Sequence, residues 1–205
     1  MKGPSSSGGN AMERERAKPA KLVGEALWRR HDATSLEHCR VTLTEDMHVV
    51  QGCIVALMDS QPCQVHYAIS CHPDWSTRSV HVGMAMGETM YALQLRRDEA
   101  GEWWRDDERL SEFHGIADVD LSISPATNTL PIRRMKLHHG ESASADALWV
   151  RFPGLALERL PQRYTRIDEH RFTYESRGGA FTADLEVDGQ GLMVRYGEIW
   201  ERVTS

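Results

Sequence analysis

The sequence lacks a hydrophobic run long enough to cross a bilayer. Its longest notable apolar stretch, residues 53–58, has six residues, whereas a membrane-spanning helix needs roughly 20. The first twelve residues contain one lysine followed by small polar residues, without the apolar core of a secretion signal. We therefore expect a cytoplasmic protein without a transmembrane segment, in which residues 1–20 are a disordered tail or a cloning remnant.

Metal-binding and disulfide patterns are also missing. The four cysteines, Cys39, Cys53, Cys63 and Cys71, form no CxxC pair, and the ten histidines form no HExxH motif. A disulfide framework would be unusual in a chain of 205 residues without a secretion signal. We expect buried, reduced thiols, no bound metal and no cofactor.

The sequence motifs of the common enzyme classes are missing as well. There is no GxSxG, no P-loop, no GxGxxG before a helix and no cysteine–histidine signature. Acidic residues outnumber basic ones by 30 to 24, which gives a net charge of −6. This balance argues against a general nucleic-acid binder, because such proteins gain affinity by neutralising phosphates. Nothing in the sequence indicates an oligomeric state.

Alternation of apolar and polar residues with a period of two dominates the chain. It is clearest in residues 65–70, 80–86 and 181–188, and a period of two predicts β-strands. Turn signals recur about every ten residues, which favours an antiparallel barrel or sandwich. We predict one mainly β domain over residues 21–205. Few short helices are expected, around 146–149 and 157–163, where Pro153 and Pro161 limit their length.

One predicted strand has a face with almost no side chains. His81, Gly83, Ala85 and Gly87 share that face, and glycine within a strand usually marks a bend or the close approach of another group. Two interpretations follow. The sheet is tightly curved at this point, or this face is the floor of a cavity kept open for a ligand.

Residues 118–134, which we call the signature segment, read DVDLSISPATNTLPIRR. Their pattern predicts a strand, a polar turn and a second strand. Asp118 and Asp120 are two residues apart, so on a strand their carboxylates share one face. They could bind a metal, act as an acid/base pair, or form ion pairs with Arg133 or Arg134, of which only one faces inward.

The signature segment resembles that of a bacterial family described as putative glycolipid-binding proteins. Further elements in the same order extend the resemblance over residues 24–203: VHY at 65–67, WSTR at 75–78, GEW at 101–103, WV at 149–150, QRY at 162–164, and the terminal residues Asp188, Gly191, Leu192, Tyr196 and Trp200. The resemblance implies a highly curved antiparallel sheet that closes into a many-stranded β-barrel. It implies a glycolipid or another acyl-chain molecule as ligand.

The first hypothesis for function is therefore non-catalytic binding of an amphipathic small molecule in an apolar cavity of the barrel. A barrel can enclose such a cavity while its backbone hydrogen bonds are satisfied. Arg133 or Arg134 would meet the headgroup, with Asn128 as a hydrogen-bonding partner. The candidate ligand-binding residues are His66, Tyr67, His81, Met84, Met86, Trp103, Asp118, Asp120, Asn128, Arg133, Arg134, Trp149 and Tyr164.

Two other hypotheses stay open at this point. In an enzyme acting on a small polar substrate, Asp118, Asp120, His66 and Arg133 would have to line one cleft. In an interaction protein, the adjacent Trp103 and Trp104 would form an exposed partner patch beside a charged hairpin.

Overall fold

The computed structural model describes residues 20–203, and over that range the chain is mainly β. The predicted tail, residues 1–20, lies outside the described residues apart from Ala20. No helix within 20–203 is both long enough and apolar enough to span a membrane. The described elements are β1 (Lys21–Arg30), β2 (Ser35–Leu43), β3 (His48–Met58), β4 (Gln61–Cys71), β5 (Thr77–Met86), β6 (Thr89–Arg97), β7 (Trp103–Arg105), β8 (Glu108–Leu110), β9 (Asp118–Leu121), α1 (Thr129–Met135), β10 (Ser142–Ser144), β11 (Ala147–Arg151), β12 (Ala156–Leu160), β13 (Gln162–Arg166), β14 (Arg171–Ser176), β15 (Phe181–Val187), β16 (Met193–Tyr196) and β17 (Trp200–Arg202).

Fourteen strands form one antiparallel sheet in which neighbours in sequence are mostly neighbours in space. Its order is β10-β13-β14-β15-β16-β17-β1-β2-β3-β4-β5-β6-β7-β8, so that the first strand pairs with the last. A small second sheet has the order β12-β11-β9, with β9 parallel to β11. The end strands β8 and β10 are not paired with each other in the described residues. Closure of the sheet into a barrel therefore stays a prediction.

The predicted alternation gives the large sheet a buried inner face and an exposed outer face. On β4, for example, Val65, Tyr67 and Ile69 are buried, whereas His66 is exposed. The glycine-rich face of β5 points outward: His81 and Gly83 are exposed, and a Cβ at Gly83 would meet nothing within 4 Å. The cavity-floor interpretation of this face is therefore wrong.

The signature segment lies against the inner face, and its second half is helical. After β9, residues 126–128 form a 3₁₀ turn that continues into α1, and residues 123–132 are all buried. The predicted second strand is wrong, and so are the helices predicted at 146–149 and 157–163, which lie in β11, β12 and β13. Pro131 is compatible with α1 because it occupies the first turn, where the missing N–H would have no helical partner.

A single connected cluster of buried apolar side chains joins the inner face of the sheet to the signature segment. It includes the fully buried Trp28 and Trp103 together with Leu121 and Leu130 of the signature segment. The apolar cavity for an acyl chain that the sequence predicted is not confirmed, and the pockets described below open at the surface.

Candidate functional site

The two ends of the signature segment are joined by a buried ion pair. Arg134 donates to both carboxylate oxygens of Asp118, at 3.0 Å from Nε and 2.6 Å from Nη2. Burial raises the pKa of Asp118, an effect that the hydrogen bonds from Arg134 partly offset; the same hydrogen bonds raise the pKa of Arg134. Of the two adjacent arginines, Arg134 bonds Asp118, whereas Asp120 bonds Gln162 and no arginine among the described residues.

Further hydrogen bonds join the signature segment to β13. Gln162 donates to Asp120 Oδ2 at 2.6 Å, and the hydroxyl of Tyr164 donates to Asn128 Oδ1 at 2.9 Å. Burial raises the pKa of Asp120 to about 6, and the hydrogen bond from Gln162 opposes part of that rise. Oδ1 of Asp120 accepts no hydrogen bond from the described residues, so it is available to a ligand.

A buried carboxyl group on β2 joins the signature segment to strands β2 and β4 of the large sheet. Glu37 accepts hydrogen bonds at Oε1 from the hydroxyls of Tyr67 (2.5 Å) and Ser124 (2.7 Å). Its Oε2 is buried and has no partner among the described residues. Burial raises the pKa of Glu37 to about 8, although the two hydroxyl donors lower it somewhat. At neutral pH, Glu37 is therefore mostly a neutral acid.

The exposed side of this network opens into a pocket of about 350 Å³, which we call the signature pocket. Its aromatic wall comes from β11 and from β14–β17, and its polar side comes from the signature segment, the end of β1 and the end of β14. Tyr174, Phe181 and Tyr196 pack edge-to-face, with centroids 5.9–6.3 Å apart. The lining residues are Arg30, Asp32, Asp120, Leu121, Ser122, Ser124, Asn128, Trp149, Leu160, Tyr174, Ser176, Arg177, Phe181, Tyr196, Ile199 and Trp200.

Three of the predicted ligand-binding residues, Asp120, Asn128 and Trp149, line the signature pocket. Tyr164 lies behind Asn128, and the Asp118–Arg134 pair braces the segment without lining the pocket. The remaining predicted residues lie elsewhere. Tyr67, Met84 and Trp103 are buried in the core, and Met86 is half-buried against it. His66 and His81 are exposed on the outer face, and Arg133 lines a different groove.

The four groups of the enzyme hypothesis do not share one cleft. His66 hydrogen-bonds Gln64 on the outer face, Asp118 is closed off by Arg134, and Arg133 opens onto the other groove. The tryptophan pair predicted as a partner patch is also divided, since Trp103 is fully buried and Trp104 half-buried.

The four cysteines are free, with Cys53 half-buried and the other three buried. Within residues 20–203, no group of three or more His, Cys, Asp or Glu side chains could hold a metal ion.

Sequence reasoning missed Glu37, Ser124 and the aromatic residues of β14–β17. A signal for Glu37 existed, because it lies two residues before Cys39 and therefore on the same face of β2 as the buried Cys39 and Val41. A charged residue on the apolar face of a strand indicates a buried polar network. Tyr196 and Trp200 of the aromatic wall belong to the family-like elements, but no local pattern joins them to Asp120, since the members of the wall come from elements that are distant in sequence.

The position of Tyr67 over Gly52 gives a testable prediction. A Cβ at Gly52 would lie 2.6 Å from the Tyr67 ring, whereas one at Gly83 would meet nothing within 4 Å. We expect Gly52→Ala to displace Tyr67 from Glu37 and to cost about 1–3 kcal/mol of unfolding free energy. The matched control Gly83→Ala should be neutral or slightly stabilising. Urea denaturation compares the two, and equal stabilities would contradict the proposed close contact.

Comparison with known proteins shows similarity over nearly the whole described range. A family model described as putative glycolipid-binding matches residues 25–202. The crystal structure of a DUF1089 family protein from Pseudomonas aeruginosa is similar at 34% sequence identity with a TM-score of 0.77. The similarity covers 85% of this chain and 95% of that one. No curated protein matches the chain.

Proposed function

The chain belongs to the family described as putative glycolipid-binding, and on that premise we propose that it binds an amphipathic ligand, a glycolipid or other acyl-chain molecule, with the polar headgroup in the signature pocket. One observation carries this proposal. Asp120, whose Oδ1 accepts no hydrogen bond from the described residues, lines one pocket together with the aromatic wall, and Ser124 and Asn128 of the signature segment line it as well.

The chemistry of the pocket suits a sugar ring. Carboxylate, amide and hydroxyl groups of Asp120, Asn128 and Ser124 can exchange hydrogen bonds with sugar hydroxyls. Aromatic side chains such as Trp149 and Tyr196 offer large apolar surfaces to the C–H faces of the ring, together with polar tips. Binding sites for small molecules combine these same features, a mostly apolar concave wall and a few placed polar groups.

The volume of the pocket limits which part of the ligand it holds. At about 350 Å³, it lies near the lower end of the 300–1,000 Å³ typical of small-molecule sites. We therefore assign the headgroup to this pocket and leave the acyl chain outside it. Our proposal includes the closure of the curved sheet into a barrel, but the barrel it describes is filled by the signature segment and carries its ligand site at the surface.

In this proposal, Asp120, Asn128 and Trp149 contact the ligand. The Asp118–Arg134 pair and Tyr164 act indirectly, because they hold β9 and the 3₁₀ turn in place. The outer-face residues His66 and His81 have no part in binding. This division separates contact residues from positioning residues, and mutagenesis can test it.

Calorimetric titration with n-octyl β-D-glucoside, kept below its micelle concentration, tests the proposal. We expect Trp149→Ala to weaken binding about tenfold or more, since truncation of a central aromatic residue commonly costs over 1 kcal/mol. Asp120→Asn should also weaken binding, because it keeps the shape and an acceptor for Gln162 but removes the charge. The matched control His81→Ala should bind as the wild type does.

Native mass spectrometry of protein purified from its host provides the second arm of this test. A lipid or glycolipid adduct that is lost in Trp149→Ala supports the proposal. The absence of both an adduct and glucoside binding would refute it. So would glucoside binding that His81→Ala weakens as much as Trp149→Ala does.

A further inference from the structure

A second groove lies on the other side of the signature segment and shares no lining residue with the signature pocket. It has a volume of about 610 Å³ and runs between the C-terminal end of α1, the segment that joins β4 to β5, and the turn between β15 and β16. We name it the Arg133 groove. The lining residues that matter here are His48, Trp75, Arg133, Lys136, Arg166 and Asp188.

Arg133 is held in place by packing rather than by a carboxylate. Its guanidinium carbon lies 5.6 Å from the centroid of the Trp75 ring. Its aliphatic stem lies against Gly191, where an added Cβ would be 2.8 Å from Arg133 Cδ. Among the described residues, no acidic side chain forms an ion pair with Arg133. The side chain thus packs on Trp75 and Gly191, and none of its hydrogen-bond donors has a partner among the described residues.

The Trp75 ring beside Arg133 is itself held by its neighbours. His48 stacks on the Trp75 ring at 4.1 Å with an interplanar angle of 20°. The backbone of Trp75 has a φ of +72°, in the left-handed region that bulky residues rarely adopt. Such conformations persist where the surrounding structure holds them, and they are frequent at ligand sites. Nδ1 of His48 is buried without a partner in the described part of the chain.

The charges along the groove leave a positive excess. Lys136, the C-terminal cap of α1, is exposed and has no acidic partner within residues 20–203. Arg166 gives its hydrogen bonds to three backbone carbonyls, so its charge is not neutralised. Asp188 is paired with Arg202 at 2.8 Å. Glu169 is highly exposed and lies 3.9 Å from His170.

From this geometry we propose that the Arg133 groove binds the phosphoryl group of a phosphorylated small molecule. The planar fork of Arg133 matches two oxygens of a phosphate, and Lys136 adds a mobile point charge. The site is independent of the signature pocket, and either one can fail without the other.

Isothermal titration with glycerol 3-phosphate at low ionic strength tests this site. We expect Arg133→Gln to weaken binding at least tenfold and Lys136→Gln to weaken it several-fold. Two controls should bind as the wild type does. Arg105→Gln removes an exposed arginine of β7 that is not part of the groove, and His81→Ala removes an exposed side chain on the outer face of β5. Melting temperatures of all variants establish that each one is folded.

A second ligand shows whether the groove binds the phosphoryl group of a lipid or that of a soluble phosphate ester. Phosphatidic acid in neutral detergent micelles should bind more tightly than glycerol 3-phosphate if the groove takes a lipid headgroup, and less tightly if it takes a soluble phosphate ester. Either order supports the site, provided that Arg133→Gln weakens both. The proposal is overturned if neither ligand binds, or if Arg105→Gln weakens binding as much as Arg133→Gln, since binding would then follow net charge alone.

Discussion

Replacing Arg134 with methionine is expected to destabilise the protein by about 3–5 kcal/mol. The substitution keeps an unbranched side chain of similar helix propensity, but it leaves the Asp118 carboxylate buried without the two hydrogen bonds that it accepts at 3.0 and 2.6 Å. Removing one partner of a buried ion pair carries this cost because an uncompensated charge stays in a medium of low polarity. Chemical denaturation monitored by tryptophan fluorescence measures the change.

The neighbouring residue offers a matched control. Arg133→Met makes the same substitution one position earlier in α1, but Arg133 is exposed and has no acidic partner in the described residues. It should change the unfolding free energy by less than about 1 kcal/mol. A double substitution, Asp118→Asn with Arg134→Met, should recover part of the loss because the buried charge is gone. Equal losses from the two single substitutions would contradict the assigned role of the pair.

Replacing Glu37 with glutamine is expected to remove most of the decline in stability on the alkaline side of neutrality. The folded-state pKa of Glu37, about 8, lies above its ordinary value of 4.5 because the carboxyl is buried. Between these two values the folded state retains a proton that the unfolded state releases, so the unfolding free energy falls as pH rises. The full loss amounts to about 5 kcal/mol above pH 8, since each unit of pKa corresponds to about 1.4 kcal/mol.

Other groups with shifted pKa values titrate mainly outside the range from pH 7 to 8, in which Glu37 dominates. The raised pKa of Asp120, about 6, acts in the same direction but below pH 7. Burial also raises the pKa of the Cys39 and Cys71 thiols, so thiols of the unfolded chain lower the stability in the same direction above about pH 8. Stability curves between pH 7 and 8 therefore isolate Glu37: the wild type should lose about 1 kcal/mol over that range, while Glu37→Gln should stay nearly flat. Glutamine still accepts the hydrogen bonds of Tyr67 and Ser124, so the variant should fold. Parallel curves for the two proteins would show that Glu37 is already ionised at pH 7.

The sequence indicated the strands well but not the helix at the centre of the fold. Period-two alternation is a local property, and it is clearest in long strands such as β4 and β5, whose neighbours are adjacent in sequence. The helix α1 has only seven residues, too few to show a periodic pattern, and its first four residues are all buried. Thr127, Asn128 and Pro131 consequently looked like residues of a stiff turn.

The candidate site could be predicted only in part, for a related reason. Asp120 and Asn128 are prominent within the signature segment, and the family-like element at 162–164 contains their partners Gln162 and Tyr164. The pairing itself is a long-range contact that no local pattern specifies. The same holds for the aromatic wall, where Trp149 and Tyr196 line one pocket although four strands separate them along the chain. The hollow interior stays a prediction, because the sequence gives no measure of how much of its own chain a curved sheet encloses.

The signature segment thus has two roles in this account: it fills the inside of the sheet, and it presents its polar residues at one surface pocket. The most direct test is a crystal structure of the protein grown with n-octyl β-D-glucoside at saturating concentration. We expect the sugar ring in the signature pocket, with a hydroxyl bonded to Asp120 Oδ1 and a face of the ring against the aromatic wall. A sugar ring bound on the outer face near His66 and His81, or an acyl chain enclosed within the sheet in place of α1, would contradict it.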